Sequence, residues 1–226
     1  MKPRSLFLDW NGVVVDDEDH HFRSLAGTLA ARGIEITREM YWERYLVLDD
    51  RRAIVAALDD ARQKASALEV ERIVREKSRR YEALVGAEPP FFPGAIEAIR
   101  RAVARCPVCV VSGAARGEIE AAVAAAKIGR EISFVIAAEE TEAGKPDPAP
   151  YREAIERMRR IVPNLLSEEG IAVEDTPGGI RSARGAGLRV LGVATTYPRE
   201  RLLAPLAEAD GVLDSIADLD LERLPI

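Results

Sequence analysis

The sequence predicts an α/β protein, with a Rossmann-like core built on a parallel sheet and an all-helical domain inserted after the first strand. Two observations predict this arrangement. Short apolar runs alternate with helix-length segments over most of the chain, which is typical of βαβ units. Between about residue 18 and about residue 88 there is no convincing strand, and apolar residues recur at helical spacing instead.

The predicted strands are short and apolar without alternation, as expected of parallel strands that are buried on both faces. They cover residues 5–8, 108–111, 134–137, 170–173, 189–193 and 211–213. Helical patterns between the later strands cover residues 117–126, 148–160 and 178–186. We therefore expect one sheet with helices on both of its faces.

The inserted segment ends at prolines, since the sequence Glu88-Pro89-Pro90 restricts the backbone and favours a boundary. We predict a core of residues 1–17 and 89–226 and a helical domain of residues 18–88. The apolar positions that predict its helices are Ile54, Val55, Leu58, Leu68, Ile73 and Leu84.

Composition and charge exclude several classes of protein. Of the 226 residues, 47% are hydrophobic and 31% are charged, as in ordinary globular domains. The formal charge of −6 argues against a non-specific nucleic-acid binder. No apolar run approaches the roughly 18 residues that a membrane-spanning helix needs, and the N-terminus lacks the apolar stretch of a signal peptide. We expect a cytoplasmic protein that binds neither nucleic acid nor membranes, and the sequence predicts no oligomeric state.

The two cysteines, Cys106 and Cys109, have the C-x-x-C spacing of redox motifs and of half a zinc site. Cys109 falls in a predicted strand, where positions three apart point to opposite faces, and no second pair completes a metal site. We therefore predict two buried structural thiols.

Asp9 follows the first predicted strand directly and is followed in turn by Gly12. In open α/β sheets, ligands bind just outside the carboxyl ends of the strands, where an aspartate can act as a nucleophile or a metal ligand. An aspartate at a strand end can equally be a turn former, so Asp9 alone leaves both possibilities open.

Ser112 and Gly113 follow the second predicted strand and lead into a helix, which fits either an anion site or an ordinary helix cap. Lys145 lies between Gly144 and Pro146 just before another helix. A lysine in that position could neutralise a phosphoryl group or the Asp9 carboxylate, and the alternative is a solvated loop lysine.

Glu174 and Asp175 end the predicted strand 170–173. Two adjacent carboxylates are costly unless a cation neutralises them, and Mg²⁺ takes oxygen ligands of this kind. The alternative for Asp175 is a helix N-cap.

Taken in order, these four segments resemble the haloacid dehalogenase-like superfamily of aspartate-nucleophile hydrolases. The helical insert looks like the cap domain of the subfamily that includes beta-phosphoglucomutase and phosphoglycolate-type phosphatases. Asp16 and His21 match the segment that leads into the cap, and Phe92-Pro93-Gly94-Ala95 looks like the return into the core. The segment from Glu174 to Ala183 closely follows the fourth motif of that superfamily.

The resemblance implies a role for each candidate residue. Asp9 would attack phosphorus and become an aspartyl phosphate, and Mg²⁺ would be held by Asp9, the backbone carbonyl of Asn11, Asp175 and, directly or indirectly, Glu174. Substrate contacts are expected from Ser112, Gly113, Arg116, Lys145, Lys77 and His21. For Lys77 the alternative is a solvated helix surface, and for His21 it is packing or a hinge.

Asn11 departs from the pattern of the superfamily, whose phosphatases and mutases carry a second aspartate at that position as general acid and base. A carboxamide cannot exchange a proton near neutral pH, and losing such catalysis typically costs about 10²–10⁴ in rate. Four explanations are open: a deliberate substitution, an enzyme for activated phosphates, a weakly catalytic binding protein, or deamidation of Asn11 before Gly12.

We therefore predict Mg²⁺-dependent hydrolysis of a small phosphomonoester, such as a sugar phosphate or a short phospho-acid, impaired or altered by Asn11. The alternatives are a sugar-phosphate mutase of the beta-phosphoglucomutase type, which Lys77 favours, and a phosphometabolite-binding protein without turnover, which Asn11 favours.

Overall fold

The computed structural model describes residues 2–86, 88–205 and 207–224. Contacts divide the chain into two compact units, one formed by Met1–Asp16 with Phe91–Ile226 and the other by Asp17–Pro90. The sequence-based division placed these boundaries after residues 17 and 88.

The first unit is the α/β core that the sequence predicts. Its six strands are all parallel and have the order β3-β2-β1-β4-β5-β6, the order of doubly wound nucleotide-binding sheets. The strands are β1 (Ser5–Leu8), β2 (Val108–Val111), β3 (Ile132–Ile136), β4 (Gly170–Glu174), β5 (Arg189–Val193) and β6 (Gly211–Leu213).

The helices alternate with these strands in the core and fill the second unit. In chain order the second unit contains α1 (Glu18–Ala30), α2 (Arg38–Met40), α3 (Asp50–Asp60) and α4 (Ala67–Val85). The core contains α5 (Ala95–Val103), α6 (Arg116–Ala125), α7 (Ala149–Arg159), α8 (Pro177–Gly185) and α9 (Arg199–Leu202).

Two strands differ from their predictions. Strand β4 ends at Glu174 rather than at residue 173, and β3 covers Ile132–Ile136 rather than residues 134–137. Strand β3 lies at one of the two edges of the sheet, and Ser133 is exposed. Because Ser133 interrupts the apolar run, the apolar pattern predicts the start of the strand two residues too late.

The sheet separates two apolar layers. Alternate residues of β1 point to opposite faces, so Leu6 and Leu8 pack into one layer and Phe7 into the other. Cys106 lies in the first layer and Cys109 in the second, and both thiols are free and buried. Burial raises the pKa of Cys106 to about 11, which keeps the thiol protonated and unreactive. The prediction of structural thiols is confirmed.

The regular secondary structure in the described residues of the second unit is helical, and this unit has its own apolar core. Ile54 and Leu58 of α3 are buried in that core together with Ile73 of α4. Val55 and Leu68 are exposed, contrary to the apolar face that their spacing predicts, because a helix turns by 3.6 residues and both point away from the core.

The N-terminus of α4 is fixed by a capping box, in which the side chains of Ser66 and Glu69 each accept a hydrogen bond from the backbone N–H of the other residue.

No helix within the described ranges is long and apolar enough to cross a membrane.

Candidate active site

Asp9 lies at the centre of the sheet edge where the strands end. Its backbone N–H donates to the carbonyl of Val173 over 3.0 Å, so β1 and β4 are still paired where Asp9 begins. Strand β1 also pairs with β2, which places Ser112 on the other side. The pairing therefore brings together the ends of three strands that are far apart in the sequence, as expected at the point where the strand order reverses.

Three carboxylates meet at this edge. Asp9, Glu174 and Asp175 are all buried, and each offers an oxygen that lies within 4.8 Å of the oxygens of the other two. Burying three negative charges together is unfavourable without a cation, so the donor set fits a hard divalent ion.

Lys145 supplies one cation to this cluster. Its Nζ lies 2.8 Å from Oδ1 of Asp9 and 2.5 Å from Oε1 of Glu174, and it donates to the carbonyl of Val111 over 2.9 Å. Burial lowers the pKa of Lys145, but the two carboxylates outweigh burial, so its pKa is raised and the ammonium stays charged. Of the roles predicted for Lys145, these contacts match neutralisation of the Asp9 carboxylate, and the solvated loop lysine is wrong.

Glu174 is held from two sides. Tyr151 donates its hydroxyl to Oε1 over 2.6 Å, and Lys145 binds the same oxygen. The buried Oε2 has no hydrogen-bond partner. Burial and the charge of Asp9 raise the pKa of Glu174 to about 7, while Lys145 and Tyr151 oppose the rise. An unpartnered buried carboxylate oxygen is unfavourable unless a further cation uses it.

Two glycines leave room for these carboxylates. Gly12 has a φ of +75°, and a Cβ there would lie 1.9 Å from Oδ2 of Asp175. A Cβ at Gly179, in the first turn of α8, would lie 1.8 Å from Oε2 of Glu174. The sequence therefore needs glycine at both positions for the carboxylates to reach the edge of the sheet.

The helix-cap alternatives for the candidate residues are wrong. Helix α8 is capped by Thr176, whose hydroxyl accepts from the N–H of Gly179 over 3.0 Å, and not by Asp175. Helix α6 has Ala115 as its N-cap residue, three positions beyond Ser112. Neither Asp175 nor Ser112 is therefore explained by capping.

Asn11 and Ser112 are hydrogen-bonded to each other across two strand ends. The hydroxyl of Ser112 donates to Oδ1 of Asn11 over 3.2 Å and accepts from the N–H of Ala114 over 3.1 Å. Gly113 follows Ser112 in the same turn, and a Cβ at Gly113 would meet nothing within 4 Å.

Deamidation of Asn11 requires attack by the backbone nitrogen of Gly12. The N–H group of this nitrogen donates to the carbonyl of Val15 over 2.9 Å. That bond opposes deamidation, which is one of the four explanations for Asn11.

Arg116 is the first residue of α6, and its guanidinium group binds other residues of the α/β core unit. It donates to Glu120 over 3.0 Å and to the carbonyl of Val135 over 3.0 Å, and it pairs with Glu140. The partner Glu140 was not predicted from the sequence, because it is distant along the chain. A role for Arg116 in substrate binding stays a prediction.

Lys77 and His21 lie in the helical unit. Only 1% of the Lys77 side chain is exposed, so the alternative of a solvated helix surface is wrong. Its Nζ lies 2.8 Å from Oδ1 of Asp50 and 2.6 Å from Nδ1 of His21. His21 also stacks on Tyr81 and lies 3.4 Å from a carboxylate oxygen of Asp17. Substrate contacts by Lys77 and His21 stay predictions.

Tyr151 is the residue that sequence reasoning missed. It lies in the first turn of α7, just after the Lys145 loop, and its side chain is fully buried. Its position shortly after the lysine was the available signal. Nothing in the local pattern distinguishes a tyrosine that binds Glu174 from one that only fills the apolar layer.

Comparisons with known proteins agree with this geometry. A family model for haloacid dehalogenase-like hydrolases matches residues 3–187. Protein CbbY of Cereibacter sphaeroides is 30% identical over 95% of this chain and 93% of its own length. The validoxylamine A 7'-phosphate phosphatase of Streptomyces hygroscopicus subsp. limoneus is 31% identical over 51% of this chain and 50% of its own length. The crystal structure of a CbbY mutant from Rhodobacter sphaeroides in complex with xylulose-(1,5)bisphosphate is 28% identical, with a TM-score of 0.80 over 97% of this chain and 96% of that one.

Proposed function

Because this chain belongs to the haloacid dehalogenase-like hydrolase family, we propose that it hydrolyses a small phosphomonoester in a Mg²⁺-dependent reaction through an aspartyl phosphate on Asp9. Asn11 impairs or alters this activity. The substrate class is a sugar phosphate or a short phospho-acid, in keeping with the phosphorylated compounds named for the relatives.

The observation that carries the proposal is the placement of Asp9 among the three carboxylates. The side chain of Asp9 is 11% exposed, whereas that of Glu174 is completely buried. Asp9 therefore keeps a small exposed fraction that a substrate could reach, and Lys145 places a positive charge 2.8 Å from its Oδ1. Phosphoryl transfer depends mainly on positioning and charge neutralisation, and both are supplied at this strand end.

The residues at this edge fit a magnesium ion. Asp9 and Asp175 would hold it together with the backbone carbonyl of Asn11, and Glu174 would act directly through its unpartnered Oε2 or by orienting the other ligands. When bound, the ion supplies positive charge to the phosphoryl oxygens and to the carboxylate cluster.

The remaining core residues would bind the phosphoryl group. The Ser112 hydroxyl and the backbone N–H of Gly113 would donate to it at the end of β2, and Lys145 would contribute charge beside Asp9. Contacts of the substrate with Arg116, Lys77 and His21 belong to the same proposal. A mutase activity rested on Lys77, and the buried ion pair of Lys77 with Asp50 gives that alternative no added support.

A direct assay tests the proposal. The Asn11→Asp protein is incubated with an aryl phosphate and Mg²⁺, beside the native chain and an Asp9→Asn, Asn11→Asp double variant. We expect phosphate release that requires Mg²⁺ and disappears in the double variant. Tight binding of a phosphorylated ligand without turnover in any form would instead indicate a binding protein, and the proposal would be wrong.

A further inference from the structure

The side chains that contact Asp9 and its neighbours differ in their ability to exchange protons. Asn11 and Ser112 form one hydrogen-bonded pair, a carboxamide with a hydroxyl. Neither group gives up or accepts a proton near neutral pH. At the strand ends beside Asp9, this pair therefore provides a hydrogen bond without an acid or a base.

Two ionisable groups nearby, Lys145 and Glu174, are held by other contacts. The three N–H bonds of the Lys145 ammonium match its three acceptors, on Asp9, Glu174 and Val111. Glu174 is fully buried, and its Oε1 accepts from Tyr151. The position at which phosphatases of this superfamily carry their general acid is occupied by the carboxamide of Asn11.

This arrangement restricts the leaving group. We propose that the chain takes phosphoryl groups from acyl phosphates, which are mixed anhydrides of a carboxylic acid and phosphate, and retains them as a long-lived aspartyl phosphate on Asp9. The inference rests on the proposed function, because it uses Asp9 as the nucleophile. It adds the class of phosphoryl donor that can transfer its phosphoryl group at this site without a general acid.

The transfer step balances without a proton. An oxygen of the Asp9 carboxylate forms a bond to phosphorus, the bond from phosphorus to the acyl oxygen breaks, and its electron pair leaves on a carboxylate. Carboxylic acids have a pKa of about 4, so the leaving anion is stable at neutral pH. An alkyl phosphate would have to expel an alkoxide, whose conjugate acid resembles water with a pKa near 15.7, and that step needs an acid.

Hydrolysis of the aspartyl phosphate meets the same restriction. Water must lose a proton as it attacks phosphorus, and the carboxamide of Asn11 cannot take that proton. A missing general base typically slows such a step about 10²–10⁴-fold. The phosphorylated form should therefore accumulate on the native chain.

Intact-mass spectrometry and phosphate release together test the inference. The native full-length chain, the Asn11→Asp variant and the Asp9→Asn variant are each incubated with Mg²⁺ and either acetyl phosphate or glycerol phosphate. Peptide mapping shows whether Asn11 is intact, and thermal unfolding shows that each variant is folded. With acetyl phosphate, we expect a persistent phosphoryl adduct on the native chain, a short-lived one on Asn11→Asp and none on Asp9→Asn.

Glycerol phosphate provides the contrast. We expect the native chain to hydrolyse it about 10²–10⁴ times more slowly than the Asn11→Asp variant. Equal rates for the two proteins, or the absence of an adduct from acetyl phosphate on the native chain while Asn11→Asp is active, would overturn this inference alone. Absence of any reaction in both proteins would overturn the proposed function.

Discussion

The ammonium nitrogen of Lys145 lies 2.8 Å from Oδ1 of Asp9. This contact joins a loop before α7 to the end of β1, two places that are more than 130 residues apart in the sequence. The two side chains are 14% and 11% exposed, and Glu174 binds the same nitrogen. Lys145 therefore stabilises the carboxylate cluster as well as the charge of the nucleophile.

Replacing Lys145 with methionine should lower both stability and activity. Removing one partner of a buried ion pair costs about 3–5 kcal/mol, because the remaining charges stay buried. We expect a loss of that size in the free energy of unfolding of the metal-free protein, measured in urea. Lys127→Met changes an exposed lysine of the same unit and serves as the control. Equal stability of the two variants would argue against the ion pair.

Two glycines in core helices give a matched test of the close approach at Glu174. An added Cβ at Gly179 would meet Oε2 of Glu174, whereas one at Gly117 would meet nothing within 4 Å. Gly179→Ala should destabilise the protein by about 1–3 kcal/mol, and Gly117→Ala should be neutral or stabilising by up to about 1 kcal/mol. Thermal unfolding measures both. A neutral Gly179→Ala would show that Glu174 does not occupy this position.

Binding of Mg²⁺ should stabilise the folded protein. At a concentration 100 times the dissociation constant, a ligand that binds only the native state adds about 2.7 kcal/mol. We expect Mg²⁺ to raise the melting temperature and a chelator to reverse the rise. Asp175→Asn should lose most of this response, while Asp214→Asn, at a carboxylate that is 81% exposed, should keep it. The same response in both variants would place the ion elsewhere.

Lys77 provides a test that separates structure from substrate binding. Because the side chain is buried beside Asp50, Lys77→Met should lower the free energy of unfolding by about 3–5 kcal/mol. Lys64→Met, at an exposed position of the same unit, should have no effect. Urea unfolding measures the stability, and steady-state kinetics measure KM. An unchanged stability together with a raised KM would assign Lys77 to the substrate instead.

The strands and the order of the site residues could be predicted from the sequence because both are local signals. Buried parallel strands are short apolar runs, and Asp9, Ser112 and Glu174 each follow such a run directly. Parallel pairing then brings the strand ends to one edge without further information.

The other contacts depend on tertiary placement. The bond from Tyr151 to Glu174 and the ion pair of Lys77 with Asp50 connect residues whose separations follow no local period. Both side chains lie on amphipathic helices, where the sequence pattern alone is equally compatible with apolar packing or an exposed surface. Their partners could therefore be found only in the folded structure.

The most direct test of the account is to identify the residue that carries the phosphoryl group. The native chain and the Asn11→Asp variant are mixed with acetyl phosphate and Mg²⁺, quenched in acid and reduced with borohydride, which converts an aspartyl phosphate into homoserine. Peptide mapping should find homoserine at position 9. Phosphate release with Asp9 unmodified in both proteins, or a reduced residue at another position, would contradict the assignment of Asp9 as the nucleophile.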